Sequence, residues 1–193
     1  MSQSAFGQVV LVGAGNMGGA MLSGWLKNGV PGSSVLVLDP SPSEAMLTMI
    51  RDAGASHSVN PPDGLVADIL FLALKPQVMD AVLPKLTSLM GDSTAVVSVA
   101  AGKTIASMES HLGAAAMVRA MPNTPAMIGR GVTGAYANAA VSETQRDIVH
   151  RLLKVSGPVE WVDSEDAINA VTALSGSGPA YVFYLVECMA EAG

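Results

Sequence analysis

The chain contains little cysteine, few aromatic residues and little charge, and these shortages exclude several classes of protein. Its 193 residues include one cysteine, Cys188, so no intrachain disulfide can form. Cys188 follows apolar residues of a predicted helix, which favours a small core residue over a nucleophile. Charged residues are 13% of the chain, and 10 basic against 16 acidic residues give a net charge of -6. This balance argues against a nucleic-acid groove.

Long apolar runs and clusters of metal ligands are also lacking. Hydrophobic residues are 50% of the chain and the mean hydropathy is +0.42. No run of about 18 uncharged apolar residues occurs, so no membrane span is predicted. The first residues carry no basic segment of a secretory signal, and we therefore expect a cytoplasmic location. His57, His111 and His150 are far apart on predicted surfaces, so we expect them to be solvated and expect no metal site.

Glycine is the residue type that organises the chain, because residues 9–18 join an apolar run to a regular glycine pattern. The spacing Gly13-x-Gly15-x-x-Gly18 is typical of a strand, a tight turn and a helix that bind a dinucleotide. Gly13 would form the turn, Gly15 would let a pyrophosphate approach the backbone, and Gly18 would pack the helix on the strand. The free N–H groups and the dipole of that helix attract an anion.

The second predicted strand, residues 35–38, ends in an acidic residue. Asp39 follows Gly18 by 21 positions, where this fold places the group that binds the adenosine ribose. A carboxylate there would repel a 2′-phosphate and so favours NAD, although the hydroxyls of Ser41 and Ser43 could receive a phosphate. Alternatively, Asp39 stabilises an Asp-Pro turn before a helix that Ser41 or Ser43 caps. The sequence leaves both interpretations open.

Apolar strands and helices alternate along the first 165 residues, which form the predicted dinucleotide-binding domain. This alternation predicts an α/β fold with a doubly wound, mostly parallel sheet and a ligand crevice at the carboxyl ends of its strands. The strand at residues 132–136 is expected at an edge of the sheet. Residues 166–193 contain only helical patterns, which predicts the beginning of a second, helical domain.

Two proline-containing segments interrupt the pattern. Residues 122–125, Pro-Asn-Thr-Pro, form either a rigid turn whose side chains bond their own backbone or a stiff loop that presents an amide and a hydroxyl to the crevice. Residues 175–179 are expected to break a helix. The last helix, residues 180–192, is apolar on most sides and needs packing partners, so we expect a truncated helical domain or a second copy that covers it.

Four motifs together resemble pyrroline-5-carboxylate reductase, and the resemblance extends over essentially the whole chain. They are Gly13-Ala14-Gly15-Asn16-Met17-Gly18, Ala73-Leu74-Lys75-Pro76 with Val99-Ala100-Ala101-Gly102, Arg119-Ala120-Met121-Pro122-Asn123-Thr124-Pro125, and Leu174-Ser175-Gly176-Ser177-Gly178-Pro179-Ala180-Tyr181. The last two motifs are the most specific. The resemblance implies a Rossmann domain, NADPH or NADH as cofactor, hydride transfer to the imine carbon of 1-pyrroline-5-carboxylate to give proline, and a homodimer or higher homo-oligomer through the C-terminal helices.

The same resemblance assigns the site residues. Asn123, Thr124 and Pro125 would lie near the nicotinamide and the substrate. It places the substrate-binding and proton-donating segment beyond Gly193, so the catalytic residues are expected C-terminal to that position. Cofactor contacts are implied for Gly13, Ala14, Gly15, Asn16, Met17, Gly18, Asp39, Asn60, Ala73, Leu74, Lys75, Pro76, Ala100, Ala101 and Gly102.

Two alternatives stay open at this point. The first is an NAD(P)-binding module without catalysis, because no His–Asp, Lys–Tyr or paired-carboxylate arrangement is predicted in the crevice. In that crevice Lys75 is expected to be a solvated residue before a proline-capped helix. The second is a β-hydroxyacid dehydrogenase or ketopantoate reductase, which shares the two-domain plan but would lack the motifs at residues 122–125 and 175–179.

Overall fold

The computed structural model describes residues 6–193 and places eight strands in one sheet. The strands are β1 (Val9–Val12), β2 (Val35–Leu38), β3 (Ser56–Ser58), β4 (Ile69–Leu72), β5 (Ala95–Ser98), β6 (Ala116–Pro122), β7 (Thr133–Ala137) and β8 (Val159–Trp161). The helices are α1 (Asn16–Lys27), α2 (Glu44–Asp52), α3 (Pro76–Val82), α4 (Ile105–Leu112), α5 (Glu143–Leu153), α6 (Ala167–Val171) and α7 (Gly178–Ala192). The predicted α/β class is confirmed.

The order of the strands places a crevice beside β1. The sheet runs β3-β2-β1-β4-β5-β6-β7-β8, with parallel pairing from β3 through to β6. Because β1 pairs with β2 on one side and with β4 on the other, the connections leave it in opposite directions. This arrangement opens a ligand crevice at the carboxyl ends of the strands.

The last two strands reverse direction, and their positions correct one expectation. β7 is antiparallel to β6 and parallel to β8, so β7 lies inside the sheet. The prediction that residues 132–136 form an edge strand was therefore wrong. The edge is β8, whose three residues are not fully buried, whereas Thr133, Gly134 and Ala135 of β7 are buried.

Alternate side chains of each central strand enter two separate hydrophobic cores. Val9 and Leu11 of β1 pack in the core that α1, α2 and α5 cover, and Val10 and Val12 pack in the core that α3 and α4 cover. A strand that is buried on both faces has no polar alternation, which explains the continuous apolar runs of β1, β2 and β4.

Side-chain caps fix where several helices begin. Ser43, rather than Ser41, caps α2, since its hydroxyl accepts from the amide of Met46 at 3.2 Å. At α5, Ser142 and Gln145 form a capping box in which each side chain accepts from the other residue's backbone amide.

The C-terminal segment runs from α6 through a π-helical turn at Thr172–Gly176 into α7. The π-helical turn ends at Gly176, Ser177 lies outside both helices and α7 begins at Gly178, so the interruption expected at residues 175–179 is present. Gly176 lies against β6, where an added Cβ would come 2.5 Å from the Cε of Met121. Among residues 6–193, no helix is long and apolar enough to cross a membrane.

Helix α7 exposes almost all of its apolar side chains, and Gly178 is its one buried residue. Cys188 is exposed on this helix, so its prediction as a core residue was wrong for the described chain. The reason is that α7 does not pack on the sheet. Its exposed large apolar residues are Tyr181, Val182, Phe183, Tyr184, Leu185, Val186 and Met189.

Trp25 joins α1 to α5 in the first core. The indole is fully buried, its ring meets Phe71 edge to face with centroids 5.0 Å apart, and its Nε1 donates to the carbonyl oxygen of Leu152 at 2.8 Å. Leu152 is in the last turn of α5, where carbonyl oxygens have no partner within the helix. The indole N–H therefore satisfies a helix end inside the core.

Replacement of this donor tests the contribution of the bond to stability. We expect Trp25→Phe to lower the free energy of unfolding by about 1–3 kcal/mol, because a buried carbonyl loses its donor. Urea unfolding followed by circular dichroism measures the loss. Trp161→Phe is the matched control, since the Nε1 of Trp161 donates to His150 Nδ1 at 3.2 Å in a half-buried position. Equal losses in the two variants would contradict the assignment.

Candidate functional site

Two glycines make the turn after β1 possible, because a side chain at either position would collide with the protein itself. Gly13 has φ +90°, and an added Cβ would come 2.7 Å from the carbonyl oxygen of Ala73. Gly18 lies so close beneath the turn that a Cβ would overlap the carbonyl oxygen of Gly13. The tight turn and the close packing of α1 expected from the sequence are therefore both present.

Gly15 differs, because nothing in the protein requires glycine there. Its backbone is extended, with φ −69° and ψ −159°, and no atom lies within 4 Å of an added Cβ. It is the N-cap of α1, whose first turn holds no acidic residue. A Cβ would fill open space at the amides of the helix, which is where an anion binds. The absence of a side chain therefore fits a bound phosphate.

Asp39 connects the end of β2 to the glycine turn. Its Oδ2 accepts from the amide of Ala14 at 2.7 Å, and its Oδ1 accepts from the amide of Ser41 at 2.8 Å. The turn-stabilising interpretation is therefore correct, and the carboxylate also binds the glycine turn. Each carboxylate oxygen has a further lone pair that could accept from a ribose hydroxyl. The ribose contact itself stays a prediction.

Three adjoining cavities form one groove along the carboxyl ends of the strands, which we call the carboxyl-edge groove. They measure about 380, 320 and 440 Å³. Neighbouring cavities share Gly15, Asn16, Asp39 and Leu74. The first is largely apolar and lies between β2 and α3, lined by Val12, Leu38, Val59, Pro61, Val78, Val82 and Leu86 among others.

The groove brings together most of the predicted cofactor residues. All of them line it except Gly18, which is buried beneath the turn, and Gly102, which lies in the turn between β5 and α4. Lys75 is exposed before α3, with Pro76 in the first turn of that helix, as expected.

The loop at residues 123–125 does not line these three cavities, and its polar side chain has another contact. The Oδ1 of Asn123 accepts from the amide of Val132 at 2.9 Å, and its Nδ2 donates to Ser175 Oγ at 3.2 Å. The amide therefore does not bond its own turn, and both of its ends are engaged. Thr124 is exposed and Pro125 is half-buried. The two proline motifs are thus joined by a hydrogen bond.

β6, the strand that leads into this loop, carries a buried ion pair that was not predicted from the sequence. Arg119 of β6 is 3% exposed, and its Nη1 lies 2.8 Å from the Oε1 of Glu165. That same oxygen accepts from the amide of Ile105, the first residue of α4, at 2.8 Å. A signal was available, because an arginine inside an apolar strand pattern requires a partner when buried.

Two groove residues were missed as well. Lys85 lines the first cavity and Met127 lines the third. Lys85 follows α3 in a 3-10 segment, Leu83–Leu89, that continues along the groove. Met127 belongs to the 3-10 segment Thr124–Ile128, whose approach to the glycine turn is a long-range contact that local sequence patterns do not reveal.

The histidines are not simply solvated, which corrects a further expectation. Each is half-buried with a polar neighbour: His57 Nε2 lies 2.9 Å from the carbonyl oxygen of Asp39, His111 lies 3.4 Å from Asp80, and His150 accepts from Trp161. The hydrogen-bonded Lys103 ammonium lowers the pKa of Asp80 below its ordinary value. Residues 6–193 contain no group of three acidic, histidine or cysteine side chains placed to hold a metal.

Comparison with known proteins covers both parts of the chain. Residues 8–102 match the family model described as NADP oxidoreductase coenzyme F420-dependent, and residues 165–193 match the one described as pyrroline-5-carboxylate reductase dimerisation. A pyrroline-5-carboxylate reductase from Pseudomonas aeruginosa is 39% identical over 187 residues, 96% of this chain and 68% of that protein. The one from Escherichia coli is 36% identical over 190 residues, 96% of this chain and 69% of that protein.

A solved structure agrees with the sequence relatives. The pyrroline-5-carboxylate reductase from Coxiella burnetii superposes with a TM-score of 0.86 at 34% identity, over 97% of this chain and 70% of that one. The likeness thus includes the glycine turn, the groove and the helical segment after β8. The chain belongs to the pyrroline-5-carboxylate reductase family.

Proposed function

We propose that this protein reduces 1-pyrroline-5-carboxylate to L-proline with NADH or NADPH, the last step of proline synthesis. Membership of the reductase family supports the reaction. The open space at Gly15 supports the assignment of the cofactor to the groove, because the missing side chain leaves room for a ligand at the first amides of α1. The alternative of a β-hydroxyacid or ketopantoate reductase has no comparable support.

The residues of the groove fit the parts of a dinucleotide. The apolar first cavity, with Val59, Val78 and Val82, would hold the adenine, and Asp39 would accept from the ribose. The free amides of the first turn of α1 would bind the pyrophosphate. When bound, the reduced nicotinamide supplies the hydride. Residues 73–76 and 100–102 would hold that half of the cofactor.

The remaining task of the protein is to orient an imine and control its proton. A protonated imine nitrogen makes the neighbouring carbon a better hydride acceptor, and the two reacting atoms must be held about 3–3.5 Å apart. We propose that Asn123, Thr124 and Pro125 lie near the substrate. In the described part of the chain we assign no proton donor.

Residues 165–193 match the dimerisation family, which indicates that the protein is a homo-oligomer. We propose a domain boundary near residue 165, and a homodimer in which α7 packs on the helices of a second copy. The exposed Phe183 and Tyr184 support this contact, since apolar patches of this kind mark interfaces. We also propose that the protein acts in the cytoplasm, where its cysteine would stay reduced.

Turnover tests the proposed reaction. We expect oxidation of NADH or NADPH that depends on added 1-pyrroline-5-carboxylate and forms an equal amount of L-proline, measured by reduced-nicotinamide absorbance and amino-acid analysis. The assay uses both the 193-residue chain and the protein expressed from its natural gene. Turnover of a β-hydroxyacid or ketopantoate instead would contradict the proposal, and cofactor binding by both proteins without any turnover would indicate a binding module.

Gly15→Val tests the place of the cofactor. The added side chain would enter open space, so the variant is expected to keep its unfolding midpoint but lose at least tenfold in affinity for NADH and NADPH, measured by nicotinamide fluorescence. Ala114→Val is the control, because Ala114 is exposed in the loop before β6, at the opposite end of the sheet. Unchanged affinity in folded Gly15→Val would refute the placement.

Asp39→Asn tests whether the carboxylate disfavours a 2′-phosphate. Two unit charges about 4 Å apart in water repel by about 1 kcal/mol, so we expect the ratio of KM for NADPH to KM for NADH to fall about fivefold. The ratio cancels any general damage to the glycine turn. Asp92→Asn, at an exposed residue before β5, should leave the ratio unchanged. An unchanged ratio in Asp39→Asn would show that repulsion does not set the preference.

A further inference from the structure

One carboxylate oxygen connects three parts of the molecule. The Oε1 of Glu165 accepts from Nη1 of Arg119 on β6 and from the amide of Ile105 on α4, both at 2.8 Å. Glu165 itself stands just before α6. Its side chain is 29% exposed and that of Arg119 is 4% exposed, so the pair is largely shielded from water.

Each of the three parts leads toward the carboxyl-edge groove or the helices beside it. Ile105 begins α4 directly after the turn that contains Ala100 and Ala101, which line the groove. Arg119 lies on the strand that enters the loop at Asn123. Glu165 leads into α6 and the π-helical turn. The carboxylate therefore links the start of α4, the strand that leads into the loop at Asn123, and the helices that follow Glu165.

A second polar contact holds the same segment at its other end. Ser175, in the π-helical turn, accepts from Asn123 at 3.2 Å. The segment from α6 through this turn is therefore fixed to β6 and its following loop at both ends. Glu165 and Thr104 satisfy different free amides of α4, because Thr104 accepts from the amide of Ser107 and Glu165 from that of Ile105.

We propose that Glu165 is a positioning residue for the reductase reaction, which sets the helices after α6 at a fixed distance from the cofactor groove. It acts through Arg119 and the amide of Ile105 and does not line the groove. The proposal rests on the proposed function for its kinetic consequence. The contact requires the reach of a glutamate side chain and an acceptor oxygen, rather than a negative charge alone.

Three substitutions separate reach from charge. Glu165→Gln keeps the reach and an acceptor oxygen but removes the charge. Glu165→Asp keeps the charge but is one methylene shorter, and Glu165→Ala removes both. Glu160→Ala, at an exposed residue of β8, is the matched control. All are measured as the full-length oligomeric protein, with 1-pyrroline-5-carboxylate and the preferred reduced nicotinamide.

The expected kinetic result is a split between kcat and KM. Glu165→Asp and Glu165→Ala should lower kcat by about tenfold to a hundredfold, as small misplacements of reacting groups do, while KM for the nicotinamide changes by less than about threefold. Glu165→Gln and Glu160→Ala should keep kcat within about threefold. Unchanged kcat in Glu165→Asp despite a lower Tm would mean a merely structural role and would overturn the proposal, as would a loss in Glu165→Gln as large as in Glu165→Ala.

Hydrogen exchange gives a readout that does not need turnover. The amide of Ile105 should exchange at least tenfold faster in Glu165→Asp and Glu165→Ala than in the parent, and at the parent rate in Glu165→Gln. If the parent protein reduces no 1-pyrroline-5-carboxylate, the proposed function fails, and this exchange pattern still reports the contact. An equal exchange rate in all variants would overturn the proposal.

Discussion

The fold depends on one close approach, the contact of Gly18 with the backbone of Gly13. With no Cβ at position 18, α1 begins directly against the end of β1, and the positive φ of Gly13 turns the chain sharply enough to permit it. The same contact points the first amides of α1 along the carboxyl edge of the sheet. It also seats Trp25, two turns further along the helix, between Phe71 and the end of α5. Core packing and ligand binding thus share one steric requirement.

Asp39 adds a polar constraint to this steric one, and it changes how the groove can bind an anion. Because its carboxylate holds the amide of Ala14, that amide is already satisfied and is not offered to a phosphate. The free amides are those of the first turn of α1 itself, beyond Gly15. A charged acceptor makes a stronger hydrogen bond than a neutral one, so the turn is held in shape before any ligand arrives. The negative charge that shapes the turn is also the one that would meet a 2′-phosphate.

The sequence predicts the centre of the sheet well and its far end poorly, for a physical reason. Strands such as β1 and β4 are buried on both faces, so an apolar run in the sequence is enough to predict them. β7 and β8 have no such run, because Gly134 and the partly exposed residues of β8 give a weak hydrophobic pattern. Which of these strands forms the edge depends on long-range pairing. The glycine turn and Asp39 follow a local motif, and the other predicted groove residues were implied by the family resemblance. Lys85 and Met127 depend on contacts between distant segments, so no local pattern reported them. For Arg119 the apolar strand pattern indicates a buried partner, but it does not identify that partner as Glu165. Cys188 was misassigned because an apolar helix resembles a core helix whether or not a partner is present.

The sheet with its helices and the segment from α6 to α7 are held in place in different ways. This difference suits their tasks. The sheet and its helices bury continuous apolar surface, which fixes a cofactor groove rigidly because close-packed cores resist displacement. The segment from α6 to α7 is held to the sheet by the buried Ile168 and by the approach of Val171 to Gly134 of β7. The ion pair of Glu165, the hydrogen bond of Ser175 and the approach of Gly176 to Met121 add contacts to β6 and its loop. The two polar contacts are directional, so they help to define the orientation of this segment on the sheet. The apolar surface of α7 stays exposed in the single chain. In the proposed homodimer, alignment of the helices with the groove would be set within one chain, and the face that the sheet does not use would make the contact between copies.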